Sequence, residues 1–414
     1  MFKNYLKLAV KVLMRRKFFT LISLFGIALT LTVLVVAAAM LDQLFGPQPP
    51  ESRVDRMLLA TKVMMSGPGR ESSSSPGYKF YETFIKDLPL AEEISVFEGG
   101  GGNNEVTYLD DRKIESALKR VDGAFWRIFD FSFIEGGPFS DDDADQGRFV
   151  AVINKTTRER FFGGEPALGK DIRIGDQTFR VVGVVEDVSL LNNLPFGEVF
   201  APIETMPSTG YKTRMMGGFR AAVLARSTAD IPEIQAAFNE RIAAYELPDP
   251  ETYDTLESWL LTKFDDTSRE MLNEGGEARP LLLRLLIGGA MLLFMLLPAV
   301  NLMNLNLSRI LERAAEIGVR KSFGATPRTL VGQFVVENVV LTLIGGVLAL
   351  GLSALALNMI NNADLLPYAH FRLNLRVLGY GLLLALIFGL VSGVYPAWRM
   401  SRMNPVEALR GDSR

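Results

Sequence analysis

Four long apolar runs, unevenly placed, constrain this chain more than anything else in it. One, about Phe18 to Leu41, lies near the start; three, about Leu285 to Leu307, Phe334 to Met359 and Val377 to Trp398, crowd into the last third. Each is long enough for a helix to cross about 30 Å of hydrocarbon. In lipid the backbone must satisfy its own hydrogen bonds, so such runs are helices. Residues 43–280 hold no comparable run and mix strand and helix candidates. The expected fold class is therefore an α-helical membrane protein with four transmembrane helices and a large α+β extracytoplasmic domain between the first two. Bulk properties agree: 48% hydrophobic residues and a mean hydropathy of +0.19, yet 22% charged. That is too apolar for an ordinary soluble protein and too charged for a chain wholly in lipid.

The absence of cysteine excludes disulfides, Cys-based metal sites and thiol catalysis, and a single histidine, His370, excludes a multi-histidine metal centre. Charge distribution orients the chain. Lys3, Lys7, Lys11, Arg15, Arg16 and Lys17 occupy the first 17 residues without an acid, and further bases cluster at 309–328 and at Arg399, Arg402, Arg410 and Arg414. In a four-span layout all three clusters share one side, which is then cytoplasmic. The expected division is a cytoplasmic amphipathic helix at 1–17, spans at 18–42, 281–307, 329–360 and 377–398, and an extracytoplasmic domain at 43–280 with a lobe inserted at about 123–215. A cytoplasmic helix at 308–328, an outer loop at 361–376 and a cytoplasmic tail at 399–414 complete it. A cleaved signal peptide ending near Ala37-Ala38-Ala39 is the competing reading of the start, but its apolar core usually runs only about 7–15 residues.

Within 43–280, VDRMLLATKV reads as a strand, SGPGRESSSSPG (66–77) as a flexible loop, and Tyr78 to Leu88 as a helix. EISVFE and EVTYL flank a glycine-rich turn and read as a hairpin. Phe149–Ile153 and Thr178–Val188 read as buried strands, and Asp230 with Pro232 opens a helix through Tyr245. The aromatic run Phe125, Trp126, Phe129, Phe131 and Phe133 reads as core, with an exposed partner patch as the alternative.

In the spans, Gly345, Ala349 and Ser353 recur every four residues, as do Gly381, Ala385, Gly389 and Gly393: two stripes that let helices approach closely. Pro298 should bend the second span, and Asn301, Asn304 and Asn306 follow it as interhelical glue or a transport pathway. Glu337, just inside the third span, reads as an interfacial ion pair or as a functional acid. Between spans two and three, Arg309, Arg313, Glu316 and Arg320 share one helical face, with Gly318 and Lys321 beside them, and Gly324 can end the helix. Thr326-Pro327 then caps and starts the next. Such a segment either docks a partner or lies along lipid headgroups.

Two motifs fail on inspection. GEPALGKD (164–171) approaches a phosphate-binding loop but carries Asp171 where a hydroxyl belongs, and a strand follows it. DDDADQG (141–147) imitates a calcium loop with its glycine one place late and Val152 in place of the bidentate glutamate, so it reads as a solvated loop.

EIGVRKSFGATPRTLVGQFVVENVVLTLIGG resembles the segment before the third span of MacB/FtsX-type (type VII) ABC transporter permeases, and YPAWRMSRMNPVEALRG resembles that family's ending. The start is similar too, at Asn4, Arg16-Lys17 and Gly26. FWRIFDFSFIEGGPFS, VAVINKTTRERFFGGEPALGKDIRI and FRVVGVVEDVS resemble the MacB-like periplasmic core domain. The resemblance implies a non-enzymatic permease subunit of the bacterial inner membrane, with both termini cytoplasmic and no cofactor of its own. ATP would be bound by two separate cytoplasmic ABC ATPase subunits that clasp the 309–326 helix. A second permease copy or a related chain would complete the membrane part. Membrane lipids and a periplasmic adaptor are further partners implied, and no nucleic acid. Its function would be to transmit ATP-driven motion for efflux or export of a drug, toxin, peptide or lipoprotein. The alternative is a membrane-anchored periplasmic sensor or scaffold, for example one regulating a cell-wall hydrolase.

Overall fold

Helix α1, Lys17–Phe45, is a 29-residue apolar helix. At 1.5 Å per residue it is about 43 Å long. One face buries Ile27, Leu31, Leu34 and Val35, while Phe18, Leu21, Phe25, Leu29 and Val33, spaced every three or four residues, stay exposed. Its hydroxyls are satisfied along the helix: Thr30 donates to the Gly26 carbonyl at 2.8 Å and Thr32 to that of Ala28 at 2.7 Å. The computed structural model describes residues 11–15, 17–100, 102–109, 112–272, 276–294, 296, 319, 326–363, 368, 371, 375, 378–383, 386–387 and 390. The chain forms two compact units, one of Met1–Leu41, Arg284–Ala363 and Phe371–Arg414, the other of Asp42–Leu283 with Asp364–His370.

The second unit is built on an 11-stranded sheet. Its strands, in chain order, are β1 (Met57–Ala60), β4 (Ala91–Glu98), β5 (Asn103–Leu109), β6 (Arg112–Val121), β7 (Phe133–Gly136), β8 (Val150–Asn154), β9 (Asp171–Ile174), β10 (Gln177–Val185), β11 (Val199–Pro202), β13 (Phe219–Ala225) and β15 (Leu261–Thr262). The strands run β15-β1-β13-β4-β6-β11-β8-β10-β7, with β5 added on β6 and β9 on β10. A smaller sheet, β12-β3-β2-β14, uses β2 (Val63–Gly67), β3 (Arg70–Pro76), β12 (Met216–Gly217) and β14 (Thr255–Ser258). Helices α2 (Lys155–Phe162), α3 (Ile231–Ala243) and α4 (Lys263–Leu272) belong to this unit. The large sheet narrows at one place: β4 and β6 share the single ladder pair Phe97–Val121. Phe97, Phe125, Phe129 and Phe200, all fully buried, pack there, and Trp126, Phe131 and Phe133 lean on them, so the aromatic run is core. Beside this waist Lys119 is fully buried, donates to the Gly100 carbonyl at 2.7 Å, and has its amine drawn down to about 7 by burial and by Arg220. Asp122 is held by Ser95 Oγ at 2.6 Å and the Val96 amide at 2.9 Å, and burial pushes its carboxyl up to about 6.

Three local expectations are corrected. Residues 66–77 are not a loop: β2 and β3 form an antiparallel hairpin in register Gly67–Arg70. Pro68 and Gly69, with φ 72°, supply the two central residues of a type II turn. The serines serve the pairing, Ser74 donating to the Gly217 carbonyl at 3.1 Å. Second, β4 and β5 are not a hairpin: β5 pairs with β6, from Asn103–Leu118 to Leu109–Arg112. The glycines after Glu98 carry the chain across to it. At Gly102 (φ 85°) a Cβ would stand 2.4 Å from the Leu118 carbonyl oxygen, so only glycine passes. Third, Asp141–Asp145 is a short helix rather than a loop, begun by a Ser140–Asp143 capping box and tied by Arg127–Asp141 at 3.0 Å and Arg148–Asp143 at 2.7 Å.

Helix α5 (Pro280–Phe294), in the first unit from Arg284 on, is a shorter apolar helix, and α6 (Pro327–Asn362), also in the first unit, is a 36-residue one capped by Thr326. Among the described residues two helices, α1 and the α6 stretch Val335–Asn362, are long and apolar enough to cross a membrane. The rest of the expected second and fourth spans falls mostly outside the described residues.

Candidate functional site

Arg309, Arg313, Glu316, Gly318, Arg320, Lys321 and Gly324, the expected docking helix, lie outside the described residues, as do Ala385, Gly389, Gly393 and His370. Gly345, Ala349 and Ser353 lie on α6. A Cβ on Gly345 would meet Ile27 Cγ2 of α1 at 2.6 Å, and Ala349 and Ser353 are fully buried. A Cβ on Gly381 would stand 3.5 Å from Leu31 Cδ2. Gly346, not singled out by the four-residue spacing, leaves room for Leu382, whose Cδ1 would lie 2.4 Å from a Cβ there.

The most connected polar site lies in the second unit, on a segment without regular structure. Residues 187–198 form a strap between β10 and β11. Asp187 fixes its start, accepting from the Thr156 amide at 3.1 Å and the Thr156 hydroxyl at 2.9 Å. Leu194 anchors its middle in the aromatic core. Glu198 fixes its end, accepting from the Ala117 amide at 3.0 Å and returning its own amide to the Ala117 carbonyl at 3.0 Å. Between these anchors the strap presents Asn192, Phe196 and the outer oxygen of Glu198.

Asn192 meets the chain just beyond the apolar helix. Gln43, in the last turn of α1, donates to Asn192 Oδ1 at 3.0 Å, and the Asn192 amide donates to Glu51. Glu51 has a fully buried side chain and pairs with Lys263, the first residue of α4, at 2.6 Å. Phe45 and Phe264 close the junction edge to face, with ring centres 5.1 Å apart. One carboxylate thus ties together the exit of the first apolar helix, the strap, and the helix that leads in sequence toward the second apolar segment.

Glu198 meets a second input. Tyr368 comes from the short segment that follows α6 in sequence. Its hydroxyl donates to Glu198 Oε1 at 2.8 Å and accepts from Arg160 at 3.1 Å; Arg160 also pairs with Glu198 at 2.9 Å. The Tyr368 ring lies against Phe196, centroids 6.1 Å apart. Burial and the Glu198 carboxylate push the phenol up to about 12, so it stays a donor at any physiological pH. Three stretches of chain adjacent to apolar helices converge on one anchored strap. No group of acids and histidines able to hold a metal occurs among the described residues.

Sequence comparison matches residues 20–241 to the MacB-like periplasmic core domain and residues 288–405 to the FtsX-like permease C-terminal domain. Two Bacillus subtilis proteins named as uncharacterized ABC transporter permeases are similar over most of both chains. YknZ is 25% identical over 84% of this chain and 87% of its own. YvrN is 24% identical over 98% of this chain and 99% of its own. A macrolide export ATP-binding/permease protein, MacB of Bdellovibrio bacteriovorus, is 25% identical over 76% of this chain, which spans only 47% of that longer protein. Among solved structures, the periplasmic region of MacB from Actinobacillus actinomycetemcomitans matches 53% of this chain and 94% of its own at 15% identity and a TM-score of 0.36.

Proposed function

Because the chain belongs to the family of ABC transporter permeases that join a MacB-like periplasmic core domain to an FtsX-like permease C-terminal domain, we propose that it relays ATP-driven motion from a separate ATPase to its extracytoplasmic unit. In this reading four helices span the inner membrane with both termini inside. Two permease chains pair through the small-residue stripes, and two ATPase subunits grip the segment from Arg309 to Gly324. Closure of the ATPases on ATP shifts the helices, and the strap passes that shift to the extracytoplasmic sheet across its Phe97–Val121 waist. The work done is export of a drug, toxin, peptide or lipoprotein. The observation that carries this reading is the convergence on residues 187–198 of Gln43, the Glu51–Lys263 pair and Tyr368. A loop that only joined two strands would need none of these ties.

The test is biochemical. Affinity purification of the full chain from its own cells should bring down an ABC ATPase and alter its hydrolysis rate. Glu316→Lys combined with Gly324→Pro should leave the chain in the membrane and abolish that effect. Unchanged ATPase association and hydrolysis in the double variant would remove the role assigned to this segment. Hydrolysis by the purified chain alone would refute the need for a separate ATPase.

A further inference from the structure

A different surface of the extracytoplasmic unit, not involved in the relay, is shaped to hold a partner. β14 is the end strand of the four-stranded sheet; its inner edge pairs antiparallel with β2, from Thr255–Ser66 to Ser258–Val63. Its outer edge pairs with no strand among the described residues. Folded proteins usually cover or blunt such an edge, because its free N–H and C=O groups are a template for another strand. Here the edge borders a groove of about 800 Å³, lined by Leu256 of β14, Ile242 of α3 and the rings of Tyr245 and Tyr253. Tyr245 is braced from behind by Phe84, ring centres 5.0 Å apart.

The groove is also electrically one-sided. Glu246, Asp254 and Glu257 line it, and no lysine or arginine does. From Glu240 to Glu257 the chain carries Glu240, Glu246, Asp249, Glu251, Asp254 and Glu257 against Arg241 alone. Arg241 is spent elsewhere, donating to the carbonyls of Lys86 at 2.8 Å and Asp87 at 2.9 Å. Among the described residues Glu246, Asp254 and Glu257 form no ion pair.

We propose that this groove receives an extended, lysine- or arginine-bearing segment of an extracytoplasmic partner protein, which adds as a strand along β14. Three properties select that occupant. A free strand edge matches a peptide backbone, with its alternating donors and acceptors, and nothing in a lipid headgroup. Unpaired carboxylates repel anionic lipid and attract basic side chains, which set partner choice and association rate. Tyr245 and Tyr253 line the same groove, and aromatic rings attract cations. The four residues of β14 span about 14 Å, room for a pairing segment of four or five residues. The other basic stretches of this chain lie at its start, between its second and third apolar runs, and in its tail, all expected on the opposite side of the membrane, so a second copy is not the fitting occupant.

The experiment uses the full chain in nanodiscs of zwitterionic lipid, with empty nanodiscs as the lipid control. A fluorescein-labelled octapeptide alternating lysine and valine is titrated by anisotropy, beside glutamate–valine and lysine–proline peptides of the same length. The lysine–valine peptide should bind in a salt-dependent manner. The glutamate peptide should bind at least about tenfold more weakly, as like charges oppose it. The lysine–proline peptide, equal in charge but lacking the ladder donors, should also lose at least about tenfold. Glu246→Lys, Asp254→Lys and Glu257→Lys together should cut lysine–valine binding by a similar factor. These are exposed positions, and Asp254→Lys alone, with a loss of about threefold, keeps the test open if the triple variant misfolds. Equal binding of the lysine–proline peptide, equal binding by Asp254→Lys, uptake by empty nanodiscs alone, or self-association of the protein through this edge would each overturn the proposal. ATPase coupling is not read in this assay, so the two proposals fail separately.

Discussion

Removing Lys263 should unseat the strap more than removing any other single contact. Glu51 has 1% of its side chain exposed and Lys263 11%, so the pair is out of water. Deleting one partner of a buried pair leaves the other charge uncompensated and costs about 3–5 kcal/mol. In Lys263→Met, Glu51 keeps only the Asn192 amide as a hydrogen-bond donor, and its second oxygen already lacks one. For a domain of this size each kcal/mol moves Tm by about 2–4 °C, so the full chain in detergent should lose about 10 °C. Glu51→Gln added to Lys263→Met removes both charges while keeping the Asn192 contact, and should recover all but about 1–2 kcal/mol of the loss. The assay is thermal unfolding followed by tryptophan fluorescence, run as a double-mutant cycle. If Lys263→Met shifts Tm by less than about 2 °C, or if the two losses simply add, the pair is not the buried tie described and the junction is held by its aromatic contacts instead. The double variant has a second use: it should be stable yet transmit poorly, separating a structural role from a relay role.

Further outcomes follow from the same contacts. Tyr368→Phe keeps the ring on Phe196 but removes a donor to Glu198, and should cost about 0.5–1.5 kcal/mol; faster proteolysis near residue 368 checks it, and wild-type cleavage rates would count against the tie. Gly345→Ala places a Cβ 2.6 Å from Ile27 Cγ2 and should destabilise by about 1–3 kcal/mol, recovered by adding Ile27→Ala; an unchanged Tm would mean that α1 and α6 are not closely packed there. Asp122 binds its proton more readily when folded, because burial lifts its carboxyl from 3.8 to about 6. Its contribution is therefore fully present below about pH 4 and lost as the pH rises through about 6, a change of about 2–3 kcal/mol. Unfolding scans from pH 4 to 7.5 should show this slope in the wild type and not in Asp122→Asn; parallel profiles would contradict it.

Periodicity and composition suffice to read α1 and α6, the buried strands β8 and β10 and the aromatic core. Phe125 and Phe129 are fully buried, and α6 begins at Pro327 behind a Thr326 cap, because these are local properties written within a few residues. Pairings were harder. The serine run became a strand because Gly69 closes a tight turn onto β2, and composition does not say what a serine strand will pair with. The sequence pairs β5 with the wrong neighbour because a glycine-rich turn fits both a hairpin and a crossing, and only the close approach at Gly102 separates them. The contacts that converge on residues 187–198 are not legible at all. Gln43, Glu51, Asn192, Lys263 and Tyr368 share no spacing, and each alone is an ordinary surface residue type. The one available signal was Glu51 directly after two prolines at the exit of an apolar run, a charge placed where the chain must turn.

If nucleotide chemistry outside this chain moves its extracytoplasmic unit, distances within that unit should follow the nucleotide state. The chain has no cysteine, so Ser73→Cys, on β3 of the smaller sheet, and Asp176→Cys, between β9 and β10 of the larger one, both exposed, give a unique spin-label pair. The distance between them should be measured by pulsed electron paramagnetic resonance with the partner ATPase present, without nucleotide and after trapping with ATP and vanadate. The distance distribution should shift on trapping, and Glu51→Gln with Lys263→Met should abolish the shift. Identical distributions in every nucleotide state would contradict it.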